Sequence, residues 1–417
     1  MRPSKLTLWA WIGGILGLIA LLSLLLVVIS PSLHERLSWR METAFTYMKG
    51  WADPVEPLPT HLPKPRVYIT RQPTEMPVPT QTSQVPVPSA TPSPSPTPLP
   101  GMVSLLAPAW ERQDINNCGP ASLTMYLRYW GWEGNQKDIA EIIKPERKDR
   151  NVNVEELAYY VRNHAGWLNL DYRVGGDLEL LKSILSSGLP VMIEEGMYLE
   201  ETFWPNDDHW AAHYLLLTGF DDSTQSFTSQ DSFFGPDRVI SYQELDQNWH
   251  AFNRVIILVY PPDRQSTVEQ ILEDQWDVDH NRQRALEVSQ AETEKKPQDA
   301  FAWFNLGTNL VYFERYFEAA DAYDQAIAIG LPQRMFRYQF GPFMAYFHGN
   351  RLGDLFELTD YALKRTPNAE EAFLWRGWGF FRQGKSSQAL ENFYDALEQN
   401  PEYQDAKYAL EYIRSNP

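Results

Sequence analysis

The hydrophobic pattern changes character several times along the chain. Leu6 to Ile29 is a mostly apolar run of 24 residues without a charge. At about 1.5 Å per residue it makes a helix of roughly 36 Å, enough to cross about 30 Å of hydrocarbon. From residue 54 to residue 108 there is no apolar face at all, and 16 of the 31 prolines fall there. Beyond it, apolar positions recur at helical spacing and predict helices over 120–130, 136–143, 154–163 and 178–186. Short apolar or alternating runs then predict strands over 190–194, 214–219, 226–230, 238–241 and 254–260. Helices followed by an antiparallel sheet give an α+β layout for residues 107–262. The last third returns to helical periodicity with a repeat: Pro297, Pro332, Pro367 and Pro401 are spaced by 35, 35 and 34 residues.

The N-terminal run reads as an uncleaved anchor. As a signal peptide its apolar core is too long, and Val28-Ile29-Ser30-Pro31 is a poor cleavage site. Arg2 and Lys5 precede it, while Arg36, Arg40 and Lys49 follow, so flanking charge nearly balances. The short N-terminus and the stalk favour the N-terminus inside and the remainder outside the cell. The core of the stalk, Thr91 to Pro98, alternates proline with Ser and Thr and prefers extended polyproline. Residues 1–30 are thus a cytoplasmic tip and transmembrane anchor, and 31–106 a juxtamembrane segment and spacer.

The formal net charge of −18 and pI of about 4.9 argue against nucleic acid as a partner, since phosphate calls for a basic surface. A single cysteine excludes an internal disulfide framework. That cysteine, Cys118, stands in Asn116-Asn117-Cys118-Gly119-Pro120, at the expected start of an amphipathic helix. Asn is a good N-cap type and Pro suits the first turn. A thiol there faces unpaired N–H groups and the positive end of the helix dipole, which favours thiolate. Most free cysteines are small buried hydrophobes, but the flanks of this one are polar. Gly119 leaves room for substrate, and the amide of Gln113 is placed to donate to an oxyanion.

His213 opens the apolar run 214–220, and Asp231 follows the strand over 226–230. A His at a strand mouth and an acid to fix its tautomer complete a cysteine-nucleophile set. His209 competes as the base. With His213 it also invites a zinc reading, but the Glu of the metalloprotease helix motif is replaced by Trp210. We therefore expect no metal and no cofactor, and place His209 at a cleft rim, on an acidic and aromatic insertion over 197–208.

These segments, Gln113 to Ser122, Gly188-Leu189-Pro190-Val191-Met192-Ile193, His213 to Asp221 and Gln230-Asp231-Ser232, resemble the papain-fold cysteine peptidases related to bacteriocin leader (double-glycine) peptidases. The resemblance covers about 107–262. It implies Cys118 as nucleophile, His213 as base, Asp231 as orienting acid and Gln113 as oxyanion donor, acting on a peptide or protein substrate. The family pattern has proline after the acid, where this chain has Ser232.

In the C-terminal part, Trp303, Leu306, Gly307, Ala319, Tyr323 and Ala326 match the tetratricopeptide signature, as do Gly377, Phe380, Ala389, Phe393 and Ala396. The middle repeat is degenerate, with Leu355 where Ala is expected. The repeats over 297–417 would form an all-α solenoid that binds a protein partner, with 263–296 a helical linker or cap and the stretches 268–291 and 402–415 as capping helices. The chain reads as multidomain: an N-terminal transmembrane helix, an α+β papain-like cysteine peptidase domain and a tetratricopeptide array. The alternative is a catalytically inactive peptide-binding domain on the same scaffold.

Overall fold

A computed structural model describes residues 98–145, 151–199 and 209–415, with scattered positions between 41 and 60. The expected anchor and most of the stalk lie outside the described residues. Among the described residues, no helix is long and apolar enough to cross a membrane. Leu58–Met197 and Ala211–Pro417 fall in one compact unit, and Tyr198–Trp210 belongs to another.

Helix α1 (Cys118–Tyr129) is the central element, buried continuously from Gly119 to Leu127. Helices α2 (Gln136–Ile143) and α3 (Val154–His164) follow it, and both begin with capping boxes, Asn135 with Asp138 and Asn153 with Glu156. Each box satisfies two orphan N–H groups. A seven-stranded sheet comes from β1 (Met102–Ser104), β2 (Asn169–Arg173), β3 (Val191–Tyr198), β4 (Trp210–Asp221), β5 (Ser226–Asp231), β6 (Gly235–Ser241) and β7 (Ile256–Tyr260). The strand order is β2-β7-β3-β4-β5-β6, and β1 pairs with the end of β4. Gly219 is required there, because a Cβ would lie 2.5 Å from the Val103 carbonyl oxygen of β1.

Helix α4 (Leu178–Ser186), α5 (Tyr242–His250) and α6 (Gln265–Leu272) complete the layer. Leu181, Ile193, Leu217, Phe227, Trp249 and Ile256 meet in its core, and Val268 and Leu272 of α6 join them. Each such side chain contributes about 1.5–3 kcal/mol on leaving water. Ser122 Oγ donates to the Tyr214 carbonyl (3.0 Å) and Trp130 Nε1 to that of Val259 (2.8 Å), pinning α1 to the sheet.

Four of the five predicted strands are longer than expected, while β7 starts two residues later than the predicted 254. His213 does not open its strand; it is the fourth residue of β4, whose hairpin with β3 takes in residues expected to form an insertion. Strands β1 and β2 and helix α5 were not foreseen. The first two are short, and α5 (YQELDQNWH) is too polar to show an apolar stripe.

Eight further helices follow: α7 (Val278–Lys295), α8 (Ala300–Tyr312), α9 (Tyr316–Ile329), α10 (Gly341–His348), α11 (Leu352–Arg365), α12 (Glu370–Arg382), α13 (Ser386–Gln399) and α14 (Gln404–Ser415). They pair α8/α9, α10/α11 and α12/α13, with α14 against the last pair. A Cβ at Gly307 would lie 2.7 Å from the Tyr323 ring, and one at Gly377 2.5 Å from the Phe393 ring. Leu355 is accommodated in the degenerate repeat because Gly379 of α12 faces it: a Cβ there would lie 3.1 Å from Leu355.

Buried amides join the array to the sheet layer. Asn281 exchanges hydrogen bonds with the backbone of Val174 (3.1 and 2.8 Å). Asn305 Nδ2 donates to the His250 carbonyl (2.8 Å), and Asn253 Nδ2 to Asn309 Oδ1 (2.8 Å). All four asparagines are buried, so these bonds cannot be exchanged for water without parting the surfaces.

Candidate active site

Cys118 is the first residue of α1 and stays partly exposed, while Gly119 and Pro120 behind it are buried. The turn before it holds Asn116 at φ +54°, a left-handed conformation that Asn tolerates. Asn117 occupies the cap position, but its side chain makes no cap bond. Its Nδ2 donates instead to Gln136 Oε1 (2.7 Å), which also accepts from the Asp114 N–H (2.7 Å). Lys144, buried at the other end of α2, donates from Nζ to the Asn116 carbonyl (2.9 Å). Helix α2 therefore buttresses the nucleophile turn from both of its ends. The helix starts two residues before the predicted Pro120, so the thiol lies at the dipole end itself.

His213 and Asp231 come from neighbouring antiparallel strands, with Leu216 opposite Gln230 setting their register. His213 Nε2 lies 2.8 Å from Asp231 Oδ1, and both side chains are almost fully buried. The ring and the Cys118 thiol also interact, each shifting the proton affinity of the other. With Nε2 held by Asp231, Nδ1 is the nitrogen left for the thiol. Burial works against the charged ring, but the bonds and charges of Asp231 and Cys118 outweigh it and raise His213 to about 10. Burial likewise raises the thiol, yet His213, the Tyr214 backbone and Lys144 bring it below its ordinary value. This is the pattern of a thiolate–imidazolium pair.

The β5–β6 hairpin wraps Asp231. Its Oδ1 accepts the N–H groups of Phe233 (2.8 Å) and Phe234 (3.0 Å), and its Oδ2 accepts Arg238 Nη1 (2.8 Å). Burial opposes the carboxylate, but His213 and these N–H groups hold its pKa far below the usual range. Ser232, in the place of the family's proline, donates from Oγ to Gln113 Oε1 (2.9 Å), and its carbonyl accepts the Gln113 N–H (2.9 Å). The Gln113 amide is thus oriented by its oxygen, which turns Nε2 away as a donor. Trp110 Nε1 donates to the Asp231 carbonyl (2.8 Å), and the half-exposed Phe233 ring stands edge-on to His213 at 6.4 Å.

His209 lies in the other compact unit. There its Nδ1 is 2.9 Å from the Leu199 carbonyl, and its own carbonyl accepts the Leu199 N–H (2.8 Å).

Sequence reading missed Lys144, Gln136, Arg238 and the buried pair Glu194 and Glu195. Glu194 is pushed well above the usual carboxyl range, first by burial and then by the charge of Cys118. The available signal was the pair of acids inside an otherwise apolar strand, a local inconsistency that marks strained or functional positions.

Residues 105–257 match the model of the Peptidase_C39 like family, in agreement with the resemblance read from the motifs around Cys118, His213 and Asp231. Among curated proteins, none matches the chain. Among solved structures, the chain is similar to a double glycine motif protease from an AMS/PCAT transporter in complex with the leader peptide (19% identity, 38% of this chain and 94% of that one, TM-score 0.28). It is also similar to Xylellain, a cysteine protease from Xylella fastidiosa (12% identity, 39% and 87%, TM-score 0.31). A third is YrrB, a TPR protein with an unusual peptide-binding site (18% identity, 34% and 89%, TM-score 0.19).

Proposed function

We propose that this chain is a thiol hydrolase of peptide or amide bonds acting through Cys118, His213 and Asp231. The observation that carries the reading is His213, hydrogen-bonded to Asp231 on one side and coupled on the other to the Cys118 thiol at the start of α1. The Cys118 thiolate attacks the carbonyl carbon, forming a C–S bond and an oxyanion. Gln113 Nε2 and the Cys118 backbone N–H are the donors for that oxygen. As the C–N bond breaks, the proton on His213 Nδ1 passes to the leaving amine, leaving a thioester. Neutral His213 then takes a proton from water, the hydroxide adds, and the thioester breaks to acid and thiol. Asp231 keeps the proton of Nε2 in place throughout, so Nδ1 is the atom that cycles.

The repeats are the proposed site for a protein partner or the substrate's remote part. A cleft of about 620 Å³ between α7, α8 and α9, lined by Leu286, Trp303, Leu306 and Glu318 among others, supports such a role. Residues 6–29 are the proposed anchor, with the chain beyond residue 30 on the outer face of the membrane. Protease added to intact cells should then remove everything beyond the stalk. Protection of residues 107–417 until lysis would reverse the orientation.

The enzyme reading is tested by Cys118→Ser and His213→Ala in a peptide-hydrolysis assay. Both should abolish turnover to a similar degree, since a nucleophile and its base act as a unit, with unfolding transitions retained. Gln113→Ala should lose about 10²–10³ in rate, and His209→Ala much less. A Cys118→Ala chain that still hydrolyses substrate would sink the reading.

A further inference from the structure

Glu195 is a fully buried carboxylate that the mechanism above does not use. It lies on β3 in phase with Ile193 of the core and on the opposite face from Glu194. A charge in such a place is expensive unless paired, by several kcal/mol. The charged groups around it come from three strands: His213 of β4, Asp231 of β5 and Arg238 of β6, with Asn248 of α5 as the remaining neighbour. Its Oε1 is 3.6 Å from Arg238 Nη1, the same nitrogen that donates to Asp231 Oδ2 at 2.8 Å. Arg238 is held on its other sides by Glu244 (3.4 Å) and by the Phe234 ring, 4.6 Å below the guanidinium.

Arg238 therefore has two effects on the site. It fixes the outer oxygen of Asp231, which steadies the partner of His213. Its positive charge also opposes the protonated ring beyond that carboxylate. A buried negative charge on the same nitrogen removes the second effect and leaves the first.

We propose that Glu195 is a positioning residue of the Cys118–His213–Asp231 site: it offsets the charge of Arg238, so that Arg238 clamps Asp231 while His213 keeps its affinity for a proton. The inference rests on the reading of Cys118 and His213 as nucleophile and base. Burial lifts Glu195 to about 7 against the pull of His213 and Arg238, so it is ionised where His213 gives up its proton, near 10. Removing the Glu195 charge should therefore act on the alkaline step of the site, where Glu195 is ionised.

Cys118 is the only cysteine, so its alkylation by iodoacetamide reports the site directly in the full chain. The rate is measured against pH for wild type, Glu195→Gln, Arg238→Gln and the double variant. In wild type, the upper step marks loss of the imidazolium proton beside the thiolate. Glu195→Gln should move that step down by about one pH unit or more. Arg238→Gln alone should leave it at or above the wild-type pH. The double variant, which removes both charges, should bring it back toward wild type. A role confined to packing would lower the melting temperature and the rate without shifting the step. The proposal is overturned if Glu195→Gln leaves the upper step in place, if Arg238→Gln lowers it, or if the double variant does not restore it. If wild-type Cys118 instead alkylates as an ordinary thiol, with one step near about 8.5, the nucleophile reading fails first and this inference with it.

Discussion

Replacing Asp231 with Asn keeps the shape of the side chain but cannot satisfy its four donors. Oδ1 accepts from His213 Nε2, Phe233 N and Phe234 N, and Oδ2 accepts from Arg238. An amide offers one oxygen and one NH₂. With its oxygen at the Oδ1 position, the NH₂ faces the guanidinium, donor against donor. With the amide flipped, the NH₂ faces two backbone N–H groups and forces His213 Nε2 to accept, which moves the ring proton to Nδ1 and removes the base that Cys118 needs. His213 is raised from about 6.5 to about 10, and Asp231 does the most to raise it. If half of that rise is lost, at about 1.4 kcal/mol per pH unit, the thiolate–imidazolium pair weakens by about 2–3 kcal/mol, or roughly 10²-fold. Reversal of the tautomer would take the loss in turnover toward about 10⁴. The buried donor left unpaired costs about 1–3 kcal/mol of stability in either orientation. Iodoacetamide alkylation of Cys118 across pH and thermal unfolding measure the two effects. An Asn variant with the wild-type alkylation profile and melting temperature would refute the coupling of Asp231 to the thiol.

Three further outcomes follow from the same geometry. Lys144→Met should raise the pH at which Cys118 begins to alkylate and loosen the Asn116 turn, whereas Lys144→Arg should recover part of the effect; an unmoved profile in the Met variant would show that the turn holds itself. Gly377→Leu should lower the melting temperature, since even a Cβ meets Phe393 at 2.5 Å and overpacking costs about 1–3 kcal/mol; an unchanged transition would mean α12 and α13 do not cross there. Because His213 is raised on folding, its contribution to stability is fully present below its unfolded value of about 6.5 and is lost as pH rises through about 10; His213→Ala should flatten that alkaline decline in denaturant midpoints, and a decline of the same slope would contradict the assignment.

The candidate triad was legible because its local contexts are strong. Polar residues before a helical run place Cys118 at a helix start whatever the rest of the chain does. An apolar run after His213 and an alternating one before Asp231 place the other two on strands. The α4 boundaries and the helical repeats were legible for the same reason, since period and punctuation are local properties. The solenoid glycines could be read because close crossing of paired helices admits little else. Periodicity does not say which strands are neighbours. The order β2-β7-β3-β4-β5-β6 is what sets His213 beside Asp231 and brings Glu195 to both. It also makes Ser232 the orienting partner of Gln113, 119 positions away in sequence. Arg238 read only as a residue on a strand, and Lys144 only as the residue after a helix, because a charge acquires its role from what it faces after folding. Sequence alone determined the candidate residues and most of the elements that carry them. Only the tertiary structure decided how that chemistry is held, because the hydrogen bonds and buried charges that tune a thiol and an imidazole run between segments that periodicity treats as independent.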